Sequence, residues 1–454
     1  MADKNLTRRK FLKNTSAGIA GAAAISALGG TAVNCSGANT PAILGGTPVR
    51  TEPFPSWPVY DETDVQMLVD AFRSNKWCRL GAERVSQFEK KYAELMGVPY
   101  CVATNSGTDA LATSLNALGV GPGDEVILAP YTFVATAQVV FQVFALAVFV
   151  DTDPETHMIN ADLIEERINE HTRAILPVHI AGCAADMDKI MAISRKHDIP
   201  VIEDACQAWT GEWKGRKLGS IGDLGCFSFQ GSKNLNSGEG GAIIGSNQAL
   251  MDMCASYTNN GRPAGETMST LSGYPNSGSN FRMTEFQGAV LLGQIRRLEE
   301  QQKLRSENAA CLDKLLEDIP GISPAKTYPG QTRHAYHLYM MNYDRNHFSG
   351  LHKKKFVAAL AAEGIETIST GYGLPPLNKA QFIEKRLNSR SYQAIYSRER
   401  LDKYRKENLC PENDKLCEET GLWLYQSVLL GTKKDMEDIA EAIVKIQKNS
   451  AKLV

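Results

Sequence analysis

The sequence predicts an α/β protein, with a large domain built on a mainly parallel central sheet and a smaller α+β domain after it. Three observations support this prediction. The chain has 454 residues, more than one ordinary domain needs. From residue 100 onward, short apolar segments alternate with helical ones, as in a parallel sheet covered by helices on both faces. The series closes at residue 244, and a smaller region begins after a long helical stretch, so we expect a boundary near 300–320, with the large domain at 45–310 and the small domain at 311–454.

The predicted large domain begins with an extended lead-in and two helices. The lead-in is rich in glycine and proline and has little helical periodicity. Asp61 can cap a helix that reaches Asn75, because apolar residues recur at helical spacing between them. A second amphipathic helix covers residues 85–96 and ends at Gly97. The sheet therefore begins only after this second helix.

The central sheet is predicted from short apolar segments that alternate with helices. The predicted strands are 101–104, 125–128, 148–150, 174–178, 200–202, 226–229 and 242–244. The predicted helices between them are 108–118, 135–144, 161–169 and 187–196. Such sheets bind ligands at the carboxyl ends of their strands. The residues just after each strand are therefore the candidates for a functional site.

The end of the chain is predicted to be less regular. Residues 285–316 form a long helical stretch with a soft break near Arg296. In the small domain, a strand is predicted at 335–342 and helices at 353–363 and 435–447. These elements are typical of an α+β arrangement.

Composition and charge exclude several classes of function. A formal net charge of −2 with mixed charges gives no basic surface for nucleic acid, so no nucleic-acid partner is predicted. The ten cysteines form no Cys-x-x-Cys pair and no Cys/His cluster with zinc spacing, so no metal site is predicted. Several cysteines lie in apolar segments and are expected to be reduced thiols. A disulfide between Cys410 and Cys417 stays open.

Residues 1–38 differ in composition from the rest of the chain. Arg8 and Arg9 precede a weakly apolar run at 17–33, a pattern that resembles a twin-arginine export signal with a short linker. The run is short for a bilayer span, and no transmembrane span is predicted after it. We therefore expect export to the periplasm. Lipid attachment at Cys35 is a second expectation, although Asn34 departs from the small residue that usually precedes a lipidated cysteine.

One lysine, Lys233, lies between the apolar strand that ends at Phe229 and the glycine-rich turn 238–241. Desolvation beside an apolar strand lowers the pKa of a lysine and makes it a better nucleophile. Lys233 is therefore a candidate for forming a Schiff base with a carbonyl compound. The alternative is a solvated lysine in a surface turn.

Polar and aromatic residues follow the first two strands of the sheet. The turn 105–108 ends a strand and opens a helix, so free N–H groups and hydroxyls there, including those of Gly107 and Thr108, can bind a phosphate. An ordinary helix cap is the alternative. After the next strand, Tyr131 and Phe133 can contact a flat heteroaromatic ring or pack in the core.

Two later strands deliver a carboxylate and a hydroxyl. Asp204 ends a strongly apolar strand, where a carboxylate can keep a ring nitrogen protonated or, alternatively, cap a helix. Ser228 lies five residues before Lys233 as a second phosphate donor. Together, an anion site, an aromatic ring, a carboxylate and a lysine are the groups needed to hold pyridoxal 5'-phosphate (PLP).

These motifs resemble one known family over residues 45–447. The matching segments are 105–108, 131–136, 203–207, 227–229 with Lys233, 238–241 and 280–285. They are similar to the DegT/StrS family of PLP-dependent sugar aminotransferases, which have the aspartate-aminotransferase fold (fold type I). The loop 229–235 with 238–241 is most similar to the branch that acts on inososes, which are cyclitols, and to its aminohydroxybenzoate-synthase relatives.

The resemblance implies a role for each matching residue. Lys233 would bond to the cofactor, Asp204 would pair with the pyridine nitrogen, and Phe133 would stack on the ring. Gln207 would approach the ring face or its phenolic oxygen. The phosphate would be held by Gly107, Thr108 and Ser228, and by Asn280 of a neighbouring subunit, which implies a homodimer with shared active sites.

The resemblance also implies an activity, the ping-pong transfer of an amino group from glutamate or glutamine to a keto-sugar or ketocyclitol. His337 and Tyr131 are expected to contact the substrate. Two departures from the family, Trp209 and the segment 230–232, are expected to lie on the substrate side of the ring. Two alternatives are open: a PLP-binding sensor or envelope protein without turnover, and a PLP-dependent dehydratase or aromatising enzyme. Lys233 disfavours the deoxygenating dehydratases of this family, which have histidine there.

Overall fold

A computed structural model describes residues 39–372 and 375–454, and residues 40–454 form one compact unit. The predicted export signal and Cys35 lie outside the described residues, so both stay predictions. Among the described helices, none is both long and apolar enough to cross a bilayer. Cys410 and Cys417 are both free, buried thiols.

The first half of the described chain contains a seven-stranded sheet and a small hairpin. The strands are β1 (Tyr100–Thr104), β2 (Glu125–Leu128), β3 (Leu146–Phe149), β4 (Thr172–Ile175), β5 (Ile202–Asp204), β6 (Glu212–Trp213), β7 (Arg216–Lys217), β8 (Leu224–Ser228) and β9 (Gly241–Gly245). Parallel pairing gives the order β3-β2-β4, and single bridges such as Ile175 to Val201 join β4 to the segment that leads into β5. The order continues β5-β8-β9-β1, in which only β9 runs antiparallel to its neighbours. The predicted mainly parallel sheet and α/β class are confirmed.

Helices cover this sheet and provide its connections. They are α1 (Glu62–Arg73), α2 (Arg84–Met96), α3 (Gly107–Ala117), α4 (Val134–Gln142), α5 (Met187–His197), α6 (Gln248–Thr258), α7 (Glu285–Gln294) and α8 (Leu298–Leu316). Asp61 caps α1 as expected, because its carboxylate accepts hydrogen bonds from two backbone N–H groups of the first turn. A 3-10 turn at Ile295–Arg297 joins α7 to α8, which confirms the predicted soft break.

The helix predicted at 161–169 is wrong. Two short 3-10 turns, Ala161–Leu163 and Glu165–Arg167, occupy this segment. Ile168 is already extended, and the N–H of Asn169 donates to the hydroxyl of Thr172, where β4 begins. The chain therefore turns into the strand before a second helical turn can form.

The C-terminal part of the chain has a sheet and an apolar cluster of its own. Its strands are β10 (Ile322–Pro324), β11 (Gln331–Arg333), β12 (Leu338–Tyr343), β13 (Ile368–Ser369) and β14 (Gly421–Tyr425). Its helices are α9 (Lys353–Ala362), α10 (Gln381–Leu387), α11 (Arg390–Ile395), α12 (Arg398–Glu407), α13 (Pro411–Lys415) and α14 (Lys433–Lys448). β10, β12, β14 and β13 form an antiparallel sheet in that order, while β11 pairs with β6. Helix α8 runs unbroken through residues 310 and 311, so the domain boundary there stays a prediction.

Candidate active site

A cavity of about 670 Å³ lies between the carboxyl ends of the central sheet and the strands β13 and β14. Its first side, the sheet wall, includes Gly107, Thr108, Phe133, Asp204, Gln207, Ser228 and Lys233, together with other lining residues such as Leu111, Thr136 and Cys206. Its second side, the C-terminal wall, includes His337, Ser369, Gly371, Tyr372, Trp423 and Tyr425. The seven residues named first for the sheet wall were predicted as site residues, Leu111, Thr136 and Cys206 were not, and only His337 of the C-terminal wall was.

The start of α3 forms an anion site in the sheet wall. Ser106 caps the helix by accepting a hydrogen bond from the N–H of Asp109 at 3.1 Å. A Cβ atom at Gly107 would lie 2.7 Å from Cβ of Ser228 and 2.9 Å from Sγ of Cys206, so no larger residue fits there. This close approach brings the free N–H groups of the helix beside the hydroxyl of Ser228. The arrangement suits a phosphate group.

Asp204 lies at the carboxyl end of β5 and is only 5% exposed. Its Oδ2 accepts a hydrogen bond from the hydroxyl of Thr136 at 2.8 Å, and Thr136 is in turn hydrogen-bonded to Thr132. Its Oδ1 accepts from the N–H of Cys206 at 3.2 Å. Within the described residues, no cationic side chain forms an ion pair with Asp204. A buried carboxylate without a cation is well suited to pair with a protonated ring nitrogen.

Lys233 lies in the turn after β8 and is half-buried. Its backbone is fixed, because its N–H donates to the carbonyl of Gln230 and its own carbonyl accepts from the indole of Trp57. No carboxylate in the described part of the chain lies within ion-pair distance of Nζ. Desolvation lowers the pKa of Lys233, and the nearby Cys206 and Asp204 only partly oppose this effect. A larger neutral fraction makes the amine a better nucleophile.

Phe133 presents an exposed aromatic ring to the cavity. It occupies the N-cap position of α4, and 58% of its surface is accessible. Large aromatic side chains are rarely left this exposed within a concave site unless a flat ligand covers them. Of the two aromatic residues predicted after β2, Phe133 is thus the one in position to stack on a ring.

Gln207 connects the two walls of the cavity. Its Oε1 accepts a hydrogen bond from the N–H of Ala181 at 2.7 Å, and its Nε2 donates to the hydroxyl of Tyr372 at 2.6 Å. These partners fix the orientation of the amide. Because the hydroxyl oxygen of Tyr372 accepts from Gln207, its own proton is free to donate to a ligand. Burial raises the pKa of Tyr372, which keeps that proton in place at neutral pH.

His337 lines the cavity, and its Nδ1 is 3.3 Å from Oδ1 of Asn234. Burial, with smaller contributions from the charges of Lys233 and Arg305, lowers the pKa of His337 well below its usual value. The ring is therefore neutral. Trp209 packs edge-on against His337 at 5.6 Å and donates to the carbonyl of Ser228. The expectation that Trp209 lies on the substrate side is wrong, since this fully buried side chain supports the sheet wall from behind.

Two residues predicted from the sequence, Tyr131 and Asn280, lie outside the cavity, and so does the buried His179. Tyr131 is buried behind Tyr372, with the two rings edge-on at 5.4 Å, so a substrate meets Tyr372 first. Asn280 is exposed, which leaves its predicted contact with a neighbouring subunit open. His179 is fully buried, and its Nε2 lies 2.8 Å from the carboxylate of Glu203. Burial alone would raise the pKa of Glu203, but the hydrogen bond from His179 and those from the backbone lower it, so this pair is structural.

The sequence reasoning missed most of the C-terminal wall. Trp423 and Tyr425 occupy alternate positions of β14, and their period of two was a usable signal for one face of a strand. Ser369 and Tyr372 lie in a short segment after α9 that has no such pattern. Their place in the cavity depends on the pairing of β13 with β14, which no local signal predicts.

The sheet wall fits PLP group by group. The close approach at Gly107 leaves an anion site for the phosphate, the cation-free carboxylate of Asp204 suits the pyridine nitrogen, and the unpaired amine of Lys233 suits the aldehyde. The exposed ring of Phe133 suits the face of the pyridine. These residues come from four separate strand ends that meet at one edge of the sheet.

Comparison with known proteins identifies a family of aminotransferases. Residues 58–402 match the model of the DegT/DnrJ/EryC1/StrS aminotransferase family. An L-glutamine:2-deoxy-scyllo-inosose aminotransferase from Streptoalloteichus tenebrarius is 36% identical over 425 residues, which cover 91% of this chain and 98% of the relative. The enzyme of the same name from Streptomyces kanamyceticus is 35% identical, with the same coverage.

Solved structures share the fold. The crystal structure of 3-amino-5-hydroxybenzoic acid synthase has a TM-score of 0.77 and 28% identity, and the match covers 87% of this chain and 99% of that one. An aminotransferase from Psychrobacter cryohalolentis has a TM-score of 0.73 and 26% identity, with 88% and 100% covered. The fold is thus that of fold type I PLP-dependent aminotransferases, and this chain, an aminotransferase, belongs to the DegT/DnrJ/EryC1/StrS family.

Proposed function

We propose that the protein uses PLP to transfer an amino group from glutamine or glutamate to an uncharged ketocyclitol of the inosose type. The names of the two relatives support the reaction and the class of acceptor. The main structural observation is the charge of the cavity. Among the described residues that line it, Lys233 is the only cation, and the anions are Asp204 and Glu239. A diphosphate-linked sugar needs arginine or lysine partners, which these residues do not supply.

The other lining groups suit a ring that carries hydroxyls. Tyr372, Trp423 and Tyr425 offer aromatic faces, and Gln230 and Ser232 offer amide and hydroxyl groups. Oε1 of Gln230 accepts from both the N–H and the hydroxyl of Ser232, so its amide N–H groups are free to donate to a substrate. A small number of polar groups among aromatic side chains is typical of sites that bind small molecules.

The residues of the sheet wall would divide the chemistry between them. Bound PLP supplies an electron sink for the charge that develops at the donor carbon. Asp204 would keep the ring nitrogen protonated, and Thr136 holds this carboxylate in place. Lys233 Nζ, once displaced by the amine of the donor, would move the proton between the donor carbon and the cofactor carbon. The hydroxyl of Tyr372, held by Gln207, would donate a hydrogen bond to an oxygen on the cofactor or substrate.

A ping-pong order is part of the proposal. Both the amino donor and the keto acceptor need the space beside Lys233, so the keto product of the donor leaves before the acceptor binds. Product-inhibition kinetics and an exchange of label between donor and keto product, measured without acceptor, test this order. Exchange that requires the acceptor contradicts it.

A homodimer with shared sites is part of the proposal. Asn280 is exposed and outside the cavity of its own chain, as its expected contact with a neighbour requires. Phe72, Trp77 and Phe286 form a cluster of stacked and tilted rings, and Phe72 and Trp77 are exposed. Sedimentation equilibrium tests the dimer.

Export through residues 1–38 is a further part of the proposal. It is tested by fractionating cells that express the chain with Arg8→Lys and Arg9→Lys, which should keep the protein in the cytoplasm.

The decisive experiment offers a panel of acceptors to enzyme that glutamine or glutamate has first converted to its amine form. Recovery of the lysine-bound absorbance band reports transfer. We expect recovery with free inososes and little with nucleotide-linked keto-sugars. Lys233→Ala is the control, because it lacks the amine that is expected to bond to PLP and should not show this absorbance band. Recovery only with nucleotide-linked sugars contradicts the acceptor class, and no response to any donor contradicts the aminotransferase.

A further inference from the structure

Lys353, the first residue of α9, is a buried lysine with an unusual set of partners. It is 1% exposed, and its Nζ donates to the backbone carbonyls of Thr370 (2.9 Å), Leu416 (3.1 Å), Cys417 (2.6 Å) and Gly421 (3.1 Å). No carboxylate in the described part of the chain forms an ion pair with it. A buried ammonium is costly unless polar groups surround it, and here only the backbone does so.

Two of these carbonyls lie where β13 and β14 separate. The strands pair in register at Ile368 with Leu424 and at Ser369 with Trp423, and the pairing then ends. Lys353 binds Thr370 just beyond the end of β13 and Gly421 at the start of β14. The ammonium therefore takes the place of the ladder hydrogen bonds that would otherwise hold the two segments together.

The side chain of Tyr131 lies against both segments where the pairing ends. A Cβ atom would lie 2.9 Å from the hydroxyl oxygen of Tyr131 if added at Gly371 and 3.1 Å if added at Gly421. Gly371 also has a φ of +84°, a conformation that glycine adopts without strain. A Cβ atom at Gly371 would also lie 3.2 Å from the carbonyl oxygen of Gly421, so the two backbones stay close to each other beyond Ser369.

The other two carbonyls belong to a short helical segment before β14. Leu416 and Cys417 lie in a five-residue π-helical segment, Leu416–Thr420, directly before β14. The carbonyl of Leu416 also accepts from the N–H of Gly421, the first residue of β14. Lys353 adds a second donor to this carbonyl and a donor to that of Cys417, and so holds the start of β14 from a second direction.

Both segments held by Lys353 carry residues of the C-terminal wall. Ser369, Gly371 and Tyr372 lie within two residues of Thr370, and Trp423 and Tyr425 lie on β14. The four carbonyls that accept from Lys353 are therefore divided between the two segments that form this wall, which indicates a role in positioning the wall.

We propose that Lys353 is a positioning residue that sets the separation of β13 and β14 beyond Ser369, and thereby places Tyr372, Trp423 and Tyr425 for binding the acceptor. Lys353 does not line the cavity and touches no substrate itself. The acceptor part of this proposal rests on the function proposed above, whereas the effect on the wall does not.

The test compares Lys353→Met with Lys354→Met in the full-length, PLP-loaded protein. Lys354 is the exposed neighbour on the same helix, which makes it a matched control. In hydrogen–deuterium exchange, we expect Lys353→Met alone to speed exchange in peptides that cover 369–372 and 416–425, with peptides around Asp204 and Lys233 unchanged. In kinetics, the KM for the inosose should rise by about tenfold while kcat changes by less than about twofold.

Two results would overturn the proposal. Unchanged exchange at 369–372 and 416–425 shows that Lys353 does not position the wall, and faster exchange with an unchanged KM shows that the wall does not bind the acceptor. If Lys353→Met does not fold, Lys353→Gln takes its place with the same criteria, because its amide has only two N–H donors for the four carbonyls. Failure of the proposed function is distinct, because wild type then transfers no amine while the exchange difference remains.

Discussion

The two walls of the cavity are built in different ways. Each residue of the sheet wall lies at or within a few residues of a strand end or the start of a helix, so its position follows from its own segment. The C-terminal wall combines residue 337, residues 369–372 and residues 423–425, which only tertiary packing brings together. The sheet wall also holds the charged groups Asp204 and Lys233, whereas the C-terminal wall is neutral. This difference agrees with the proposed function, in which the sheet wall provides the chemistry and the C-terminal wall binds the acceptor.

The largest effect is expected at Lys233. If the sheet wall provides the chemistry, Lys233→Ala removes both the covalent bond and the proton carrier, and kcat should fall by about 10⁴-fold. The measurement is single-turnover reaction with glutamine, followed by absorbance. Ser232→Ala, one residue away in the same turn, is the control and should retain kcat within about tenfold. Comparable losses in both variants would mean that the turn as a whole matters and not this amine.

Asp204 should give the next largest effect. Asp204→Asn keeps the shape but removes the charge that holds the ring nitrogen protonated, so kcat should fall by about 10²- to 10³-fold. Thr136→Val keeps the carboxylate but removes the hydrogen bonds of Thr136 to Oδ2 and to Thr132, and it should cost about tenfold. Steady-state kinetics at saturating substrates compare the two. A larger loss for Thr136→Val would contradict the order of roles within the sheet wall.

The support of the C-terminal wall should be sensitive to acid. His157 packs against Tyr131 behind Tyr372, and desolvation lowers its pKa from 6.5 to about 4. The unfolded chain therefore binds a proton more tightly, so stability is complete above pH 6.5 and falls as the pH drops towards 4. The expected loss at pH 4 is about 3 kcal/mol.

His157→Asn isolates this contribution. Asparagine tolerates the positive φ of 65° at this position and does not titrate. Urea unfolding at pH 7 and pH 4 should show an acid loss that is smaller in the variant by about 3 kcal/mol. Equal losses in both proteins would show that other groups cause the acid sensitivity.

The smallest effect is expected from Tyr372→Phe. This variant keeps the aromatic face and removes the hydroxyl held by Gln207, so the KM for the inosose should rise by about tenfold. Tyr392→Phe, a buried tyrosine outside the cavity whose hydroxyl binds the carbonyls of Phe141 and Ala145, is the control and should leave KM nearly unchanged. A fall in kcat as large as that of Asp204→Asn would assign Tyr372 to the chemistry and remove the distinction between the walls.

The difference between the two walls also explains which site residues could be predicted from the sequence. The anion site at Gly107, the carboxylate of Asp204 and the amine of Lys233 were predicted because strand ends in parallel sheets converge. The resemblance led us to expect Tyr131 at the substrate, yet it is buried, while Phe133 two residues later is exposed. The sequence does not encode locally which of two nearby aromatic residues faces the cavity. The pairing of Ser369 with Trp423, 54 residues apart, likewise depends on long-range packing.

The separation of β13 and β14 has a consequence for changing what this enzyme accepts. The segments 369–372 and 421–425 are joined to each other by two register pairs and by one ammonium group, while PLP would be held by other segments. If the C-terminal wall binds the acceptor, replacing both segments together would change the acceptor preference without changing the residues expected to hold PLP. Grafting both stretches together from a relative with a different acceptor should transfer its preference, whereas grafting either one alone should mismatch the pair.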